Sequence, residues 1–284
     1  MDRVKMNPHR LSFGLAAVSI ALAGIAAIAP PLQAQQPSTL AVPERPASLP
    51  TANEPTRSGI VDLSETNSPL GIGYIIPSDL DFLEAPEENA AKLEAGWLTD
   101  IELPLFATPA GEHWGWLFQG WLVPNGQSAL AIGADAAFAM VRTQSALLGF
   151  PILESRDDGW LRVQYTETGS AWTHTSYLDL GNLSLTFERW DDLLSNAEQL
   201  QFRQAENAQV LRSQPELSRN VITLVRNDSL IEPLEVAGDW VRVRVTRPVE
   251  GCQALAGART EEGWMRWRRN DGGITLWQAA ERCG

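Results

Sequence analysis

The pattern of apolar and polar positions divides the chain into five stretches of different character. An apolar run lies within residues 1–34, and residues 35–69 contain many prolines with little periodic pattern. In residues 70–186 and 209–284, short runs of β-branched and aromatic residues are separated by Gly, Asp, Asn and Pro, which is typical of short strands. Residues 187–208 are polar with spaced apolar side chains. The pattern predicts a mainly β protein, with two β domains joined by a short helical or irregular linker.

The N-terminal stretch has the features of an export signal. Arg3, Lys5 and Arg10 precede an apolar run over residues 11–29, which two prolines and the small residue Ala34 follow. A positive start, an apolar middle and a small residue at the cut predict a cleavable signal peptide covering residues 1–34. A retained membrane anchor is the alternative, because the run is close to the lower length limit for a spanning helix. Since no later apolar run reaches that length, we expect a periplasmic or extracellular protein.

Residues 35–69 are predicted to form a disordered tether. They are rich in Pro, Ala, Ser, Thr and Glu, a composition that cannot bury enough apolar surface to fold alone. The prolines recur at short intervals: Pro37, Pro43, Pro46, Pro50 and Pro55. A segment of this kind favours extended conformations.

The acidic charge excludes some classes of partner. The net charge is −13, and removing a signal with three cations and one acid (+3 − 1 = +2) takes it to about −15. Like charges repel within a Debye length, so we expect neither nucleic acid nor an anionic membrane surface as a partner.

The two cysteines, Cys252 and Cys283, both lie near the C-terminus. An isolated pair in an oxidising compartment usually forms a bridge, so the sequence predicts a disulfide between them. Two free thiols are the alternative. Neither the cysteines nor the scattered histidines have the spacing of metal ligands, and no metal site is expected.

Two segments about 80 residues apart resemble each other. Residues 153–165 (LESRDDGWLRVQY) match residues 234–245 (LEVAGDWVRVRV) with one residue inserted, and Ala171-Trp172 downstream matches Gly263-Trp264. Matched blocks in the same order predict two copies of one small β unit. The tryptophans at matched positions are expected in the cores: Trp160, Trp172, Trp240 and Trp264.

The repeat resembles the bacterial SH3-like (SH3b) domain. In the second copy, Val210–Pro215 resembles the opening strand, Leu234–Val245 the central hairpin, and Gly263–Trp267 the closing strand. In the first copy, Leu103–Pro109 resembles the opening strand, and a long insertion follows it over residues 114–148. The resemblance implies two small SH3-like β-barrels without an attached catalytic domain. It also implies a binding role in the cell wall or envelope.

Signatures of catalysis are absent from the sequence. After signal removal only His113 and His174 remain, neither beside a cysteine, and there is no G-x-S-x-G, H-E-x-x-H, phosphate-binding or dinucleotide-binding motif. Adjacent acids such as Asp157-Asp158 are typical of solvated turns, although acids that converge in space could still form a hydrolase site. We therefore predict a protein that is not an enzyme and needs no cofactor, with a cell-wall hydrolase as the less favoured reading.

Aromatic residues are the best candidates for a binding site. Trp114 and Trp116 alternate on one predicted strand and therefore point to one face, with Trp121 following closely. Such a face could form a platform for a sugar or peptide, or it could pack against the neighbouring domain. Trp267, next to Arg268 and Arg269, is a second candidate that could receive a carboxylate.

Two hypotheses of different classes follow from the sequence. The first is an exported binding module that recognises peptidoglycan or an envelope protein through these aromatic residues. The second is a structural protein that scaffolds an envelope complex and has no small ligand.

Overall fold

The computed structural model describes residues 40–50, 59–66, 68–79, 94–135, 137–143, 147–204, 207–218 and 220–278. The predicted signal peptide (1–34) and Cys283 lie outside these residues, so the signal and the disulfide stay predictions.

Short 3-10 turns span Leu63–Glu65, Trp97–Asp100 and Thr175–Tyr177, and helix α1 spans Trp190–Asn196. The strands are β1 (Ile60–Asp62), β2 (Gly73–Pro77), β3 (Glu102–Phe106), β4 (His113–Phe118), β5 (Trp121–Pro124), β6 (Leu130–Ala131), β7 (Phe138–Arg142), β8 (Leu148–Ser155), β9 (Trp160–Gln164), β10 (Ser170–His174), β11 (Leu185–Arg189), β12 (Leu200–Phe202), β13 (Gln209–Arg212), β14 (Val221–Val225), β15 (Leu230–Ala237), β16 (Trp240–Glu250), β17 (Gln253–Arg266) and β18 (Leu276–Gln278).

The described part of the chain is mainly β, as predicted, and its strands form two sheets. The first sheet has the order β1-β7-β8-β9-β10-β3-β4-β5-β6, and β2 adds to it by pairing with β8 and β11. The second sheet has the order β14-β13-β17-β16-β15-β12-β18 and is antiparallel throughout. Its longest elements, β16 and β17, form one long hairpin.

The same five-strand arrangement occurs once in each sheet. The first unit (β8-β9-β10-β3-β4) and the second unit (β15-β16-β17-β13-β14) have the same strand order and the same sequence of connections. Their cross-strand pairs also correspond: Ala171 faces Val163 in the first unit, and Gly263 faces Val243 in the second. The matched sequence segments therefore occupy equivalent positions. The insertion in the first unit consists of β5, β6 and β7, while β4 belongs to the shared framework.

Two hydrophobic cores lie side by side and share two strands. Along β2, Ile75 packs in the first core, whereas Tyr74 and Ile76 pack in the second. Along β7, Met140 packs in the first core and Val141 packs in the second. Side chains of a strand alternate between its two faces, so a strand buried on both sides contributes to two cores. Strands that precede the second unit in sequence thus help to complete its core.

The region predicted as a linker contains three elements. Strand β11 ends at Arg189, helix α1 follows directly, and β12 pairs with β15 and β18 in the second sheet. Trp190 and Leu194 of α1 are buried in the second core. Residues 187–204 therefore pack against the second core over much of their length. Among the described residues, no helix is long and apolar enough to cross a membrane.

The prediction of a disordered tether is wrong for two parts of residues 35–69. Strand β1 pairs in parallel with β7, through Ile60 and Phe138 among others. Residues 40–50 lie against the first sheet and hydrogen-bond to it. Both parts are ordered by contacts with residues far away in sequence, which composition alone does not reveal.

Candidate binding site on the outer face of the first unit

Strand β4 places Trp116 on the side of the first sheet that faces away from the first core. Its neighbour Leu117 is buried in that core, and Trp116 belongs to neither core. Nevertheless only 1% of Trp116 is exposed. Its ring makes edge-to-face contacts with Phe118 at 5.8 Å and with His113 at 5.6 Å between centroids. Something other than the two cores must therefore cover this outer face.

Residues 40–50, which we call the proline-rich segment, provide that cover. The Trp116 Nε1 donates a hydrogen bond to the carbonyl oxygen of Glu44 at 3.1 Å. The Tyr177 hydroxyl donates to the carbonyl oxygen of Ala41 at 3.0 Å. The Arg45 Nε lies 2.5 Å from the Glu102 Oε2 in an ion pair. The segment is thus held through its backbone at two points and through one charged side chain.

Burial along the proline-rich segment repeats every third residue. The side chains that are half-buried are Leu40, Pro43, Pro46 and Leu49, and the residues between them are exposed. The two carbonyls that accept hydrogen bonds, at positions 41 and 44, are also three apart. The polyproline II helix has three residues per turn and no internal hydrogen bonds. The segment therefore lies on the sheet in the manner of an extended proline-rich peptide in a groove.

We call the surface formed by Trp116, Glu102 and the hydroxyl of Tyr177, whose ring packs in the first core, the covered face. Its polar atoms are of the kind that recognise a peptide: two donors for carbonyl oxygens and one carboxylate for a cation. Burial raises the pKa of the Tyr177 hydroxyl, which keeps that group protonated as a donor. The ion pair with Arg45 is largely exposed on the arginine side, and such pairs contribute about 0–1 kcal/mol.

His113 borders the covered face at the start of β4. Its ring contacts Phe106 at 5.5 Å and Trp116 at 5.6 Å between centroids. The Asn125 amide nitrogen donates to the His113 carbonyl oxygen at 2.7 Å. Burial lowers the pKa of His113, and a hydrogen bond with the backbone of Gly115 opposes that shift. The surroundings therefore favour the neutral ring.

The sequence leaves two possibilities open for the candidate aromatic residues, an exposed platform and a packed face, and in the structure most of these rings are packed. Trp116 and Trp121 are buried, and Trp114 is half-buried and stacks on Tyr165 at 5.3 Å between ring centroids. Trp267 is also buried, and its Nε1 donates to the carbonyl oxygen of Gly238 at 2.8 Å. The chain itself therefore covers the rings of Trp116, Trp121 and Trp267, which do not face solvent.

The predicted basic site does not join the covered face. Arg268 is half-buried and forms an isolated β-bridge with Ile274. Arg269 is exposed and its Nε lies 3.0 Å from the Asp271 Oδ1. This charge is paired locally at a turn. Of the tryptophans expected in the cores, Trp160 is buried, whereas Trp172, Trp240 and Trp264 are only half-buried.

Sequence reasoning missed Glu102, Tyr177 and the role of the proline-rich segment. One signal could have found the segment: Leu40-x-x-Pro43-x-x-Pro46-x-x-Leu49 places apolar residues at a spacing of three. That spacing fits neither a helix nor a strand, but it fits one face of a polyproline II helix.

Arg203 makes a second contact with the N-terminal part of the chain, on the side of the second core. Its guanidinium donates to the backbone carbonyls of Leu63, Ser64, Thr66 and Ser68. Burial, together with the nearby charge of Arg269, lowers the pKa of Arg203 to about 10. Removing this cation from water is costly, and the carbonyl oxygens offset that cost.

Comparisons with known proteins leave the geometry as the guide to function. No protein-family model, curated protein or solved structure matches this chain. The contacts of the covered face are therefore the observations that bear on what the chain recognises.

Proposed function

We propose that this chain is an exported, non-enzymatic binding module of the cell envelope, and that the covered face recognises an extended polypeptide. The observation that carries the proposal is the proline-rich segment itself. Two aromatic side chains, Trp116 and Tyr177, donate to its backbone carbonyls, and Glu102 pairs with its cation. A surface that binds one extended peptide in this way has the donors to bind another.

The finer fold assignment belongs to the same proposal: each five-strand unit is an SH3-like barrel. Its support is the shared strand order, the corresponding cross-strand pairs and a shared irregularity. In both units the register shifts where the opening strand pairs with the next one, at Leu105/Phe106 in the first and Leu211/Arg212 in the second. Bulges are usually retained features of a fold, so their agreement supports a common framework.

A protein partner fits the covered face better than a glycan does. A sugar platform needs an accessible ring face, and Trp116 is buried under the proline-rich segment. The polar contacts of the face are made to amide carbonyls and to a guanidinium, which are groups of a polypeptide. Peptidoglycan binding, through its stem peptides, and a purely structural role are the alternatives that an experiment must separate.

Three probes separate the alternatives. The full chain is titrated with a fluorescent peptide of residues 40–50 and with a Gly-Ser peptide of equal length, and it is sedimented with purified peptidoglycan sacculi. We expect saturable binding of the first peptide, no binding of the second and no sedimentation. Sedimentation without peptide binding would replace the proposal by wall binding. The absence of all three interactions would favour the structural role.

A further inference from the structure

We infer that the proline-rich segment is an internal ligand, which a partner displaces when it presents the same pattern of side chains. The partner's pattern is an apolar residue or proline at every third position, as in Leu-x-x-Pro-x-x-Pro-x-x-Leu, with a cation just before the second proline. This inference rests on the proposed function, because it names the ligand class and the control of the same face.

The contacts of the proline-rich segment are those of a reversible ligand. The segment forms neither helix nor strand, and seven of its residues between the half-buried positions or at the end are exposed, including Val42, Arg45 and Ser48. Its polar anchors are two hydrogen bonds from side chains and one ion pair. By contrast, β1, which follows it, is joined to β7 by a backbone ladder. A segment outside the ladder can leave without breaking the sheet.

The covered face keeps its framework when the segment leaves. The second unit has the same strand order, and it folds with its corresponding position open to solvent. Trp116 faces Pro104, which lies two residues before Phe106, where the register between β3 and β4 shifts. Leu224 faces Val210, which lies two residues before Arg212, where the register between β13 and β14 shifts. Leu224 is 41% exposed. The framework therefore does not need a covering segment at this position.

The pattern of the ligand follows from the contacts. Half-burial at every third residue fixes the spacing of the apolar side chains. The Glu102 carboxylate selects a cation at the position of Arg45 and so sets the direction of the peptide. Trp116 and Tyr177 accept any residue at positions 44 and 41, because they bind the carbonyl oxygens there. Proline suits such a ligand, since it favours the extended conformation and lacks an N–H to satisfy.

The internal ligand competes at high effective concentration. Only residues 51–58 connect the proline-rich segment to Gly59 and β1. Short connections of this kind give an effective concentration on the order of millimolar. A free peptide of the same sequence must therefore overcome the attached copy, and any change that weakens the attached copy makes the face more available.

A charge reversal in the segment tests the competition. In the Arg45→Glu chain the attached segment is repelled by Glu102, while an added peptide of residues 40–50 keeps its arginine. We expect this peptide to bind about 3- to 10-fold more tightly than it binds the unmodified chain, in low salt where surface charges act strongly. The matched control is Arg156→Glu, since Arg156 is 49% exposed, against 48% for Arg45, and pairs with Asp158 in another part of the sheet.

The control should bind the peptide as the unmodified chain does. Peptide binding that is equal in the Arg45→Glu and Arg156→Glu chains would overturn the internal-ligand inference and leave the proposed function standing. No binding to any of the three chains would instead overturn the proposed function.

A second variant exchanges the specificity. The Glu102→Arg chain should lose affinity for the peptide with arginine and prefer a peptide in which that arginine is glutamate. Because the charge is exchanged both in the peptide and at position 102 of the chain, this result would show that the charged residue of the peptide binds at position 102 and not elsewhere. An unchanged preference would contradict the assignment of the cation position, whatever the affinity of the first peptide.

Discussion

The two five-strand units differ clearly at one pair of equivalent positions, Trp116 and Leu224. Their strand order and bulge agree, so the framework is the same. Yet Trp116 is 1% exposed and Leu224 is 41% exposed. The proline-rich segment crosses the first unit at this position, and Val123 of β5 lies beside Trp116, whereas Leu224 lies on an edge strand. The same strand arrangement therefore has a covered or an open outer face according to the elements that lie on it and beside it.

The edges of the two units differ as well. In the first unit β4 pairs with β3 along one edge and with β5 along the other, whereas in the second unit β14 pairs only with β13 and ends the sheet. Three apolar side chains of β14 are exposed there: Val221, Ile222 and Leu224. An apolar edge strand is usually a liability that proteins protect with charge, bulges or a covering element. The insertion of the first unit thus adds a strand where the second unit has a bare edge.

The largest expected contrast comes from truncating the two equivalent residues. Trp116→Ala should lower the free energy of unfolding by about 3–5 kcal/mol, because it removes a buried ring and a hydrogen bond to the proline-rich segment. Leu224→Ala should cost less than about 1 kcal/mol, since its side chain is already partly in water. Urea unfolding of both variants measures the contrast. Equal losses would show that the two outer faces are equally covered.

A second contrast concerns how each side of the molecule holds the N-terminal part of the chain. The first unit holds it with two aromatic donors, and Arg203 holds residues 63–68 with one guanidinium. We expect Arg203→Ala to cost about 2–4 kcal/mol, because several buried carbonyls lose a charged donor. Arg203→Lys should recover only part of this lost free energy of unfolding, because the lysine ammonium group lacks the planar, forked set of N–H donors of a guanidinium.

The control for Arg203 is Arg242→Ala. Arg242 lies on the outer face of the second unit and pairs with Glu262 at 3.1 Å with both side chains well exposed, so its loss should cost at most about 1 kcal/mol. Comparable losses in urea unfolding for the two alanine variants would contradict the role given to Arg203.

The sequence predicts the β structure and the repeated hairpins of both units, but it places β4 of the first unit in an insertion and does not reveal the covered face. Strand alternation and turn residues are local signals, and they predicted β structure and the repeated hairpins in advance. The contacts of the covered face are not local: Trp116 and Glu44 are 72 residues apart, and Tyr177 and Ala41 are 136 apart. The proline-rich segment was predicted as a tether because it lacks the periods of helix and strand, although its period of three was present.

The same non-local contacts explain why the sequence leaves the surroundings of Trp116 open. Alternation correctly separates Trp116 from Leu117 across the strand, and the face predicted for Trp116 is the outer one. Alternation does not say what lies on that face. The sequence therefore identified an aromatic surface, and only the fold shows that the chain covers it.

A third test loosens the segment without touching the framework. Tyr177→Phe removes the donor to the Ala41 carbonyl and should cost about 1 kcal/mol. Because that bond holds only the proline-rich segment, the variant should be cut within residues 40–50 several-fold faster by a dilute protease. Trp267→Phe is the comparison in the second unit, since it also removes one donor to a carbonyl. If both variants are cut at the same rate, the Tyr177 bond does not hold the segment.

The smallest expected effect is a pH dependence confined to the first unit. His113 faces Phe106 across the strands, and Val221, which cannot titrate, faces Arg212 at the corresponding place in the second unit. Burial lowers the pKa of His113 below its ordinary value of 6.5. The folded state therefore favours the neutral ring, and its contribution to stability is complete above pH 6.5 and is lost as the pH falls through the lowered pKa.

This pH dependence is measured as the difference in urea midpoint between about pH 7.5 and pH 5.5, a window above most carboxylate titration. His113→Gln should reduce the difference, because glutamine keeps a polar side chain beside Phe106 and Trp116 but does not become charged. The control is His174→Gln, which removes the other histidine of the first unit, hydrogen-bonded to Ser176 and Asp158. The difference in urea midpoint should be larger in His174→Gln than in His113→Gln. The opposite order would mean that protonation of His113 does not cause the pH dependence of the urea midpoint, and that another group of the first unit does.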